Sequence, residues 1–233
     1  ITGILKLILK KKYGLNLCIF SIDDFYKKRR DRLKMSKKIH PLFSTRGVPG
    51  THDVRLLNQI IKKLTKKKFR TVLIPKFDKS KDDRLNKSKW QKIKVKPDII
   101  IFEGWCVGTT HQNNIELKKP LNFIEKKYDK NSKWRKMVNN FIKKRYKNLF
   151  NKMDKLVYLK VPNFNYIIKW RWLQEQKMKL TSKNKQTMSK TQVKEFIMYY
   201  ERLTKHMIKN YSKISDLTIF LDKNHRSKKM IIN

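Results

Sequence analysis

The chain has 233 residues, of which 39% are hydrophobic and 11% aromatic, so a packed core is possible and global disorder is excluded. No run of about 18 uncharged apolar residues occurs, and the sequence therefore predicts no membrane-spanning helix. The net charge of +42, from 60 Lys and Arg against 18 Asp and Glu, favours anionic partners.

The first predicted elements are the end of a helix and a buried strand. Apolar residues recur at helical spacing in residues 1 to 12, and Gly14 ends this helix. An apolar strand follows at about 15 to 20. Residues 27 to 39 are polar and predict a second helix.

The middle of the chain alternates loops, strands and polar stretches. Two prolines and two glycines make residues 40 to 50 a loop, and the next helix is predicted to begin at Thr51 or His52. A short strand covers residues 71 to 74, and residues 76 to 97 form a polar stretch without a clear pattern. Residues 98 to 102 form an apolar strand of the kind that parallel sheets bury on both faces.

The last third contains long helical patterns. After an irregular stretch at residues 104 to 130, residues 134 to 150 form an amphipathic helix. Strands are predicted at residues 155 to 161 and 217 to 221, and two further helices lie between them. Those helices cover residues 166 to 178 and the apolar stripe from Val193 to Met207.

Strands that alternate with helices predict a doubly wound, mainly parallel α/β sheet flanked by helices. The chain has no internal repeat and no long linker, so residues 1 to 233 are expected to form a single domain. Within it, the polar residues 179 to 190 are expected to be a mobile lid segment.

The two predicted strands at residues 15 to 20 and 98 to 102 each lead into carboxylates. Asp23 and Asp24 follow the first strand, and Glu103 and Gly104 follow the second. In open α/β sheets, ligands bind at the carboxyl ends of the strands. In phosphoryl transfer, Asp23 and Asp24 suit the acceptor side or the metal, and Glu103 suits a magnesium site. The structural alternative is that one acid, Asp24 rather than Asp23, caps the next helix.

Two further basic segments are candidates for anion binding. The loop from Thr45 to Asp53 combines rigid turns with Arg46, His52 and Asp53, and an arginine can bind a carboxylate with two parallel hydrogen bonds. The alternative is an ordinary loop with a helix cap at Thr51 or Asp53. Arg171 precedes the polar stretch, but one arginine among 60 basic residues carries little information by itself.

These segments together resemble the D-glycerate 3-kinase family, a group of P-loop kinases related to uridine kinase, phosphoribulokinase and pantothenate kinase. The resemblance covers about residues 1 to 221. The segments that carry it are Ser21-Ile-Asp-Asp-Phe-Tyr26, His40-Pro41, Thr45-Arg-Gly-Val-Pro-Gly-Thr-His-Asp53, Pro75-Lys-Phe-Asp-Lys79, Asp82-Asp83-Arg84, Ile101-Phe-Glu-Gly-Trp-Cys-Val-Gly108, Trp170-Arg171 and Gln174-Glu175-Gln176.

The resemblance implies a P-loop kinase domain that uses ATP and Mg²⁺ to phosphorylate a hydroxyl of a small hydroxy acid, D-glycerate first. It implies that Asp23 is the catalytic base, that Glu103 is the Walker-B acid near magnesium and that Arg171 is a catalytic lid arginine on the ATP phosphates. The residues that it implies for substrate binding are Asp24, Tyr26, Arg46, His52 and Asp53.

The chain departs from this family in one motif. It contains no G-x-x-x-x-G-K-[ST] loop, whose N–H groups and lysine hold the phosphates. In the family this loop directly precedes the helix that residues 1 to 12 resemble, so the loop and the first strand are expected to be encoded upstream of Ile1. The chain as printed is therefore expected to bind ATP poorly.

Two alternatives remain open at the sequence level. One is a kinase with another acceptor, such as a nucleoside or pantothenate. The other is a non-catalytic basic protein that binds nucleic acid. Lysine, asparagine and isoleucine are abundant, as an A+T-rich coding sequence would produce, and the lysines are dispersed along the chain. No specific nucleic acid or membrane partner is therefore expected, and the sequence does not indicate the oligomeric state.

Cys18 and Cys106 are the only cysteines, and both lie in apolar strand contexts. They are expected to be buried free thiols, which is typical of a protein of the reducing cytoplasm. No spacing of cysteine and histidine suggests a zinc site.

Overall fold

The computed structural model describes residues 2 to 181 and 187 to 233. These residues divide into two compact units. The first unit contains the residues up to Val107 together with Asn140–Phe150. The second unit contains Gly108–Asn139 and Asn151–Asn233. Residues 182 to 186 of the expected lid segment lie outside the described residues, and the single-domain and lid expectations stay predictions.

Up to Val107, the first unit combines three α-helices with six strands. The helices are α1 (Thr2–Tyr13), α2 (Arg29–Lys38) and α3 (Val54–Leu64). The strands are β1 (Leu17–Ser21), β2 (Val72–Ile74), β3 (Phe77–Asp78), β4 (Asp83–Arg84), β5 (Gln91–Ile93) and β6 (Ile99–Glu103). This order confirms the predicted alternation of strands and helices in a mixed α/β fold.

The parallel pair of this unit joins β1 to β6. Leu17 lies opposite Ile99, and the register continues to Ser21 opposite Glu103. Both strands therefore end at the same level of the sheet, as parallel strands do. The predicted parallel-sheet strand at residues 98 to 102 is confirmed by this pairing, and Ile99 to Phe102 are half-buried in it.

The polar stretch at residues 76 to 97 has more structure than its pattern indicates. Here β3 and β4 form a short antiparallel hairpin, in which Phe77 faces Arg84. Next, β5 pairs antiparallel with β2. These strands of two and three residues are too short to show an alternating pattern, which explains why the sequence did not reveal them. The segment 76 to 84 is called the basic hairpin, and its lysines contact Asp23 and Asp24.

The predicted helix boundaries hold to within a few residues. Gly14 adopts φ 68° and its N–H bonds to the carbonyl of Lys10, which ends α1 as predicted. The third helix begins at Val54 instead of Thr51 or His52, because the Asp53 carboxylate accepts the N–H of Leu56 and caps it.

The predicted helix at residues 134 to 150 is α5 (Lys133–Phe141), a π-helical turn (Ile142–Tyr146) and α6 (Lys147–Phe150). Its apolar side includes the buried residues Phe141, Ile142, Tyr146 and Leu149. A π-helical turn contains one extra residue per turn, so it changes which side chains face the core.

The second unit contains α4 (Phe123–Tyr128), most of α5, β7 (Val157–Lys160), α7 (Phe164–Thr181), α8 (Lys190–Asn210), β8 (Leu217–Leu221) and β9 (Ser227–Ile232). The strands β7 and β8 are parallel, as predicted, and β9 adds an antiparallel edge that the sequence did not predict. Buried clusters under these strands include Tyr158, Met207 and Tyr211.

The expectation of two buried free thiols is confirmed. Cys18 and Cys106 are buried and form no disulfide. Burial raises the pKa of the Cys18 thiol to about 11, and it also raises the pKa of Cys106. Among the described residues, no helix is both long enough and apolar enough to cross a membrane.

Candidate active site

The candidate site begins where β1 ends. Ser21 closes the strand and caps a 3₁₀ turn (Ile22–Phe25), because its hydroxyl accepts the N–H of Asp23 at 3.2 Å. Ile22 and Phe25 are fully buried and anchor this turn in the core. The turn therefore holds Asp23 just beyond the carboxyl end of β1.

Asp23 has two side-chain partners and remains accessible. The Tyr26 hydroxyl donates to Oδ1 at 3.0 Å, and the Lys79 ammonium donates to Oδ2 at 2.9 Å. The side chain of Asp23 is 27% exposed, and that of Lys79 is 64% exposed. An accessible carboxylate beside a mobile cation is a suitable acceptor for a substrate proton.

Asp24 contacts the basic hairpin. It does not cap the next helix, although the structural alternative in the sequence analysis was that it would. Its Oδ2 accepts from the Lys76 ammonium at 2.7 Å, and its Oδ1 accepts from the N–H of Phe77 at 3.4 Å. Asp24 therefore attaches the basic hairpin to the turn that carries Asp23. This contact over 52 residues replaces the local cap that the sequence suggested.

The loop from Thr45 to Asp53 is held by its own turns. The Thr51 hydroxyl accepts the N–H of Gly47 at 3.2 Å and donates to the carbonyl of Val48 at 2.7 Å. Gly50 adopts φ 106°, and a Cβ there would lie 2.3 Å from the Phe141 ring. Only glycine satisfies both the backbone conformation and this close contact.

Arg46 is bound by the basic hairpin. Its guanidinium forms an ion pair with Asp82, donates to the carbonyl of Lys79 at 3.3 Å and lies over the Phe77 ring at 5.6 Å. Asp82 also pairs with Arg32 at 2.7 Å, and Arg32 is fully buried. The Asp82 carboxylate thus joins Arg46 to a buried arginine of α2.

His52 is 1% exposed and lies in a small aromatic cluster with Tyr26 and Tyr146. Tyr26 stacks on its ring, with centroids 4.5 Å apart, and the Tyr146 hydroxyl lies 2.8 Å from Nδ1. Burial lowers the pKa of His52 to about 3, although Asp23 opposes this shift, so the imidazole is neutral near pH 7.

Asp53 has a structural role in the contacts that it makes. One carboxylate oxygen caps α3, and the other pairs with Arg84 at 3.3 Å. Arg84 in turn donates to the carbonyl of Tyr26 at 2.7 Å. The alternative of a helix cap at Asp53 is therefore confirmed, and a direct substrate role for Asp53 stays a prediction.

Glu103 is exposed at the carboxyl end of β6, next in register to Ser21. The described residues contain no group of three or more His, Cys, Asp or Glu side chains that could hold a metal ion by themselves. Mg²⁺ is usually held by one or two carboxylates together with substrate phosphates and water, so a single exposed acid at this place fits it.

Arg171 belongs to the second unit, on α7. It pairs with Glu175 one turn later, donates to the Gln174 side chain at 3.2 Å and lies over the Phe196 ring at 5.8 Å. Nearby, the second unit has a cavity of about 450 Å³ whose walls include Tyr166, Lys169, Trp170, Trp172, Lys190 and Lys223. Aromatic rings and ammonium groups are the chemistry that planar anionic ligands prefer.

The chain is similar to known kinases in sequence and in structure. No family model matches the chain. The chain is 32% identical over 193 residues to the uncharacterized kinase mug58 of Schizosaccharomyces pombe, a match that covers 78% of the chain and 66% of mug58. It is 40% identical over 110 residues to the probable ATP-dependent kinase TDA10 of Saccharomyces cerevisiae, over 43% of the chain and 38% of TDA10.

The solved structure of D-glycerate 3-kinase from Cryptococcus neoformans superposes with a TM-score of 0.82 at 26% identity. That match covers 100% of the chain and 85% of the solved chain. The chain is a homologue of D-glycerate 3-kinase and has the fold of the P-loop kinases. It spans just under two thirds of mug58 and 38% of TDA10.

The structure brings most of the predicted acceptor-side residues of this P-loop kinase homologue together in the first unit. Asp23, Tyr26 and His52 form one connected group, and Asp24 and Arg46 meet at the basic hairpin. Glu103 ends the neighbouring strand, whereas Arg171 lies in the second unit.

Several residues of the site were missed at the sequence level. Lys76, Lys79, Asp82 and Arg84 lie in the segments that carried the resemblance, but no role was predicted for them. Tyr146 was missed completely, because it lies 94 residues from His52 on a helix whose pattern indicates only a core face. Its hydroxyl at an otherwise apolar position was the one available signal.

Proposed function

We propose that this protein is an ATP-dependent kinase of a small molecule, and that it phosphorylates a hydroxyl of a small hydroxy acid, with D-glycerate as the first candidate. The observation that carries the proposal is the position of Asp23. It is an accessible carboxylate just beyond the carboxyl end of a parallel strand, hydrogen-bonded to Tyr26 and Lys79, and it lies two residues after Ser21, which is opposite Glu103. The relatives of this chain are named kinases, and one of them is a D-glycerate 3-kinase.

In this proposal Asp23 accepts the proton of the substrate hydroxyl as that oxygen attacks the γ-phosphorus of ATP. The bond between phosphorus and the new oxygen forms, the bond to the ADP oxygen breaks, and the proton ends on the Asp23 carboxylate. The Tyr26 hydroxyl keeps the carboxylate oriented through its bond to Oδ1. Lys79 leaves Oδ2 when the substrate binds, which costs little because an exposed ion pair contributes roughly 0 to 1 kcal/mol.

The negative charge of a hydroxy acid suits the cations around this carboxylate. Lys76, Lys79 and Arg46 come from two segments that meet at the basic hairpin. Arg46 is already paired with Asp82. We therefore propose that its main contributions are positive electrostatic potential and the geometry of its loop, and that direct contact with a substrate carboxylate is secondary. Lys79, which is mostly exposed, is the first candidate for that direct contact.

On the donor side, we propose that Glu103 holds Mg²⁺ or one of its waters, where the ion would neutralise charge on the ATP phosphates. Arg171, in the second unit, is proposed separately as a phosphate-binding arginine that would exchange its partner Glu175.

Two alternatives make different predictions. A kinase of a nucleoside or of pantothenate would use the same base with another acceptor. A non-catalytic nucleic-acid-binding protein would place stacking aromatics within a basic stripe. In the first unit, Tyr26, Phe77 and Tyr146 instead pack against one another or against His52, and Tyr26 and Tyr146 are buried.

The test is an ADP-release assay with D-glycerate, pantothenate and uridine as acceptors. It is run on the purified protein. We expect turnover with D-glycerate and Mg²⁺, and about a 10²- to 10⁴-fold loss of kcat in Asp23→Asn, as is typical when a general base is removed.

Asp24→Asn is the matched control, since it changes the neighbouring acid in the same way. It loses the Lys76 contact but leaves the proposed base in place, so its kcat should fall much less than that of Asp23→Asn. Wild-type kcat in Asp23→Asn would show that the base assignment is wrong. Turnover with uridine or pantothenate, and none with D-glycerate, would show that the acceptor is not D-glycerate.

A further inference from the structure

The cluster around His52 contains a buried polar atom that the proposed reaction has not used. His52 Nε2 is buried and has no hydrogen-bond partner within residues 2 to 181 and 187 to 233. An unsatisfied buried donor or acceptor costs roughly 1 to 3 kcal/mol, so such an atom requires an explanation. A ligand that supplies the missing partner is one explanation that can be tested.

The protonation of His52 follows from its neighbour Tyr146. The N–H of Gly50 donates to the Tyr146 oxygen at 2.8 Å, and the same hydroxyl lies 2.8 Å from His52 Nδ1. Within the described chain, Nδ1 is the only acceptor bonded to this hydroxyl, so the single hydroxyl proton points to Nδ1. Nδ1 is then an acceptor, and the proton of the neutral imidazole lies on Nε2.

The surroundings keep this arrangement in one protonation state. Burial raises the pKa of Tyr146 far above its usual range, so the hydroxyl retains its proton. Four other groups act on the pair: Asp23 and Lys27 act on His52, and the Cys106 thiol and the Arg145 guanidinium act on Tyr146. The stacked ring of Tyr26 covers one face of the imidazole. His52 thus offers a neutral N–H donor that stays fixed in direction.

From this geometry we infer that Tyr146 is a positioning residue that selects the Nε2–H tautomer of His52, and that Nε2–H donates to an oxygen of the hydroxy acid acceptor. The second half rests on the proposed function, since Tyr26 connects the imidazole to the proposed base Asp23. Tyr26 also packs edge to face on Phe77 of the basic hairpin, so the imidazole cluster adjoins the hairpin that carries Lys79. Because Nε2 is buried, contact with the substrate requires a local movement of this cluster.

A neutral donor has a specific use beside a catalytic carboxylate. A protonated histidine would pair with Asp23 and compete for its charge, whereas a neutral N–H can bind the substrate oxygen without lowering the basicity of Asp23. The acceptor is therefore selected by the hydrogen bond from His52 Nε2–H and not by charge. Acceptors that lack an oxygen at this position should bind poorly.

The experiment is a long-range ¹H–¹⁵N spectrum of the five histidines, recorded on the purified protein. His52→Asn assigns the resonance. In the wild-type protein we expect the signature of an Nε2–H imidazole, and addition of D-glycerate should shift Nε2. Tyr146→Phe should give the other tautomer or a mixture, and it should raise the apparent Kd or KM for D-glycerate roughly tenfold.

Tyr158→Phe is the control, because it removes a buried tyrosine hydroxyl in the second unit. It should leave both the His52 resonance and the D-glycerate affinity unchanged. An Nδ1–H or mixed tautomer in the wild type overturns the inference, and so does an Nε2 resonance that D-glycerate does not move. The wild-type spectrum decides the tautomer even where Tyr146→Phe fails to fold.

Failure of the inference and failure of the proposed function give different results. The tautomer is read without turnover, so a wrong tautomer contradicts the inference whatever the kinase assay shows. Absence of ADP release with D-glycerate contradicts the proposed function, whereas turnover together with an unmoved Nε2 resonance contradicts only the inference.

Discussion

At the residue scale, His52 shows how burial gives an ordinary side chain an unusual chemistry. Its pKa is lowered from 6.5 to about 3 by desolvation, and Tyr146 supplies the partner that Nδ1 needs. The same burial has a measurable consequence for stability. An unfolded chain protonates His52 near pH 6.5, whereas the folded chain does so only near pH 3.

The first stability prediction follows from this difference. Between pH 6.5 and 3 the unfolded state binds more protons than the folded state, so stability falls as the pH falls. His52 alone contributes a slope of up to about 1.4 kcal/mol per pH unit in this window. Urea denaturation at several pH values should therefore show a weaker acid dependence in His52→Asn than in the wild type.

Asparagine is the suitable replacement, since its side-chain oxygen can still accept from Tyr146 and it does not titrate. His111→Asn is the control, because His111 is exposed. Parallel pH profiles for wild type and His52→Asn would contradict the burial of a neutral imidazole. A weaker acid dependence in His111→Asn would point to a different histidine.

At the element scale, the basic hairpin organises the first unit. Asp82 reaches Arg46 of the 45 to 53 loop and Arg32 of α2, and Arg84 reaches Asp53 at the start of α3. Lys76 and Lys79 attach the same hairpin to the turn after β1. One short hairpin thus connects every acceptor-side segment.

The element-scale prediction concerns Asp82→Asn. Asp82 has φ 52°, and asparagine tolerates this conformation, so the change removes charge with little backbone strain. Arg32 is fully buried and would lose its charged partner, keeping only neutral oxygen acceptors such as the carbonyl of Ser44 at 2.7 Å. We expect a loss of about 2 to 4 kcal/mol in the free energy of unfolding, measured by urea denaturation.

Asp78→Asn tests the same hairpin without this network. Among the residues that the structure describes, the Asp78 carboxylate accepts from Ser80 and Lys81 alone, which are its near neighbours in sequence. Its replacement should change stability little. An equal loss in both variants would indicate that the hairpin is sensitive to any lost charge and that Arg32 is not the reason.

At the scale of the whole molecule, the net charge of +42 governs encounters with polyanions. When a polyanion binds to the dispersed lysines, the counterions condensed on the polyanion are released. The affinity should therefore fall steeply with salt, and it should depend on the number of lysines and not on their positions. This behaviour is expected of the proposed kinase as well, and it does not by itself indicate a nucleic-acid-binding function.

The corresponding prediction compares two pairs of exposed lysines in different units. Lys67 and Lys68 lie in the first unit, and Lys228 and Lys229 lie in the second. Replacing either pair with glutamine should lower the affinity for single-stranded oligonucleotide by a similar factor and reduce the salt slope equally, as measured by fluorescence anisotropy. If one pair abolished binding and the other had no effect, a dedicated polyanion site would be indicated.

The sequence predicted the α/β class, most helices and the parallel strands, because the periods of 3.6 and 2 residues are local properties. It also predicted Asp23 at a strand end, since an apolar run followed by acids shows where β1 delivers its carboxylates. It failed at β3, β4, β5 and β9, whose pairing depends on partners elsewhere in the chain.

What only the tertiary structure decided is the partner of each charged or polar group. The contacts of Asp24 with Lys76, Arg46 with Asp82 and His52 with Tyr146 join residues 52, 36 and 94 positions apart. No local pattern encodes such distances, because they result from the packing of whole elements against one core. The sequence alone therefore determined which residues could carry the chemistry, and the fold determined which of them meet.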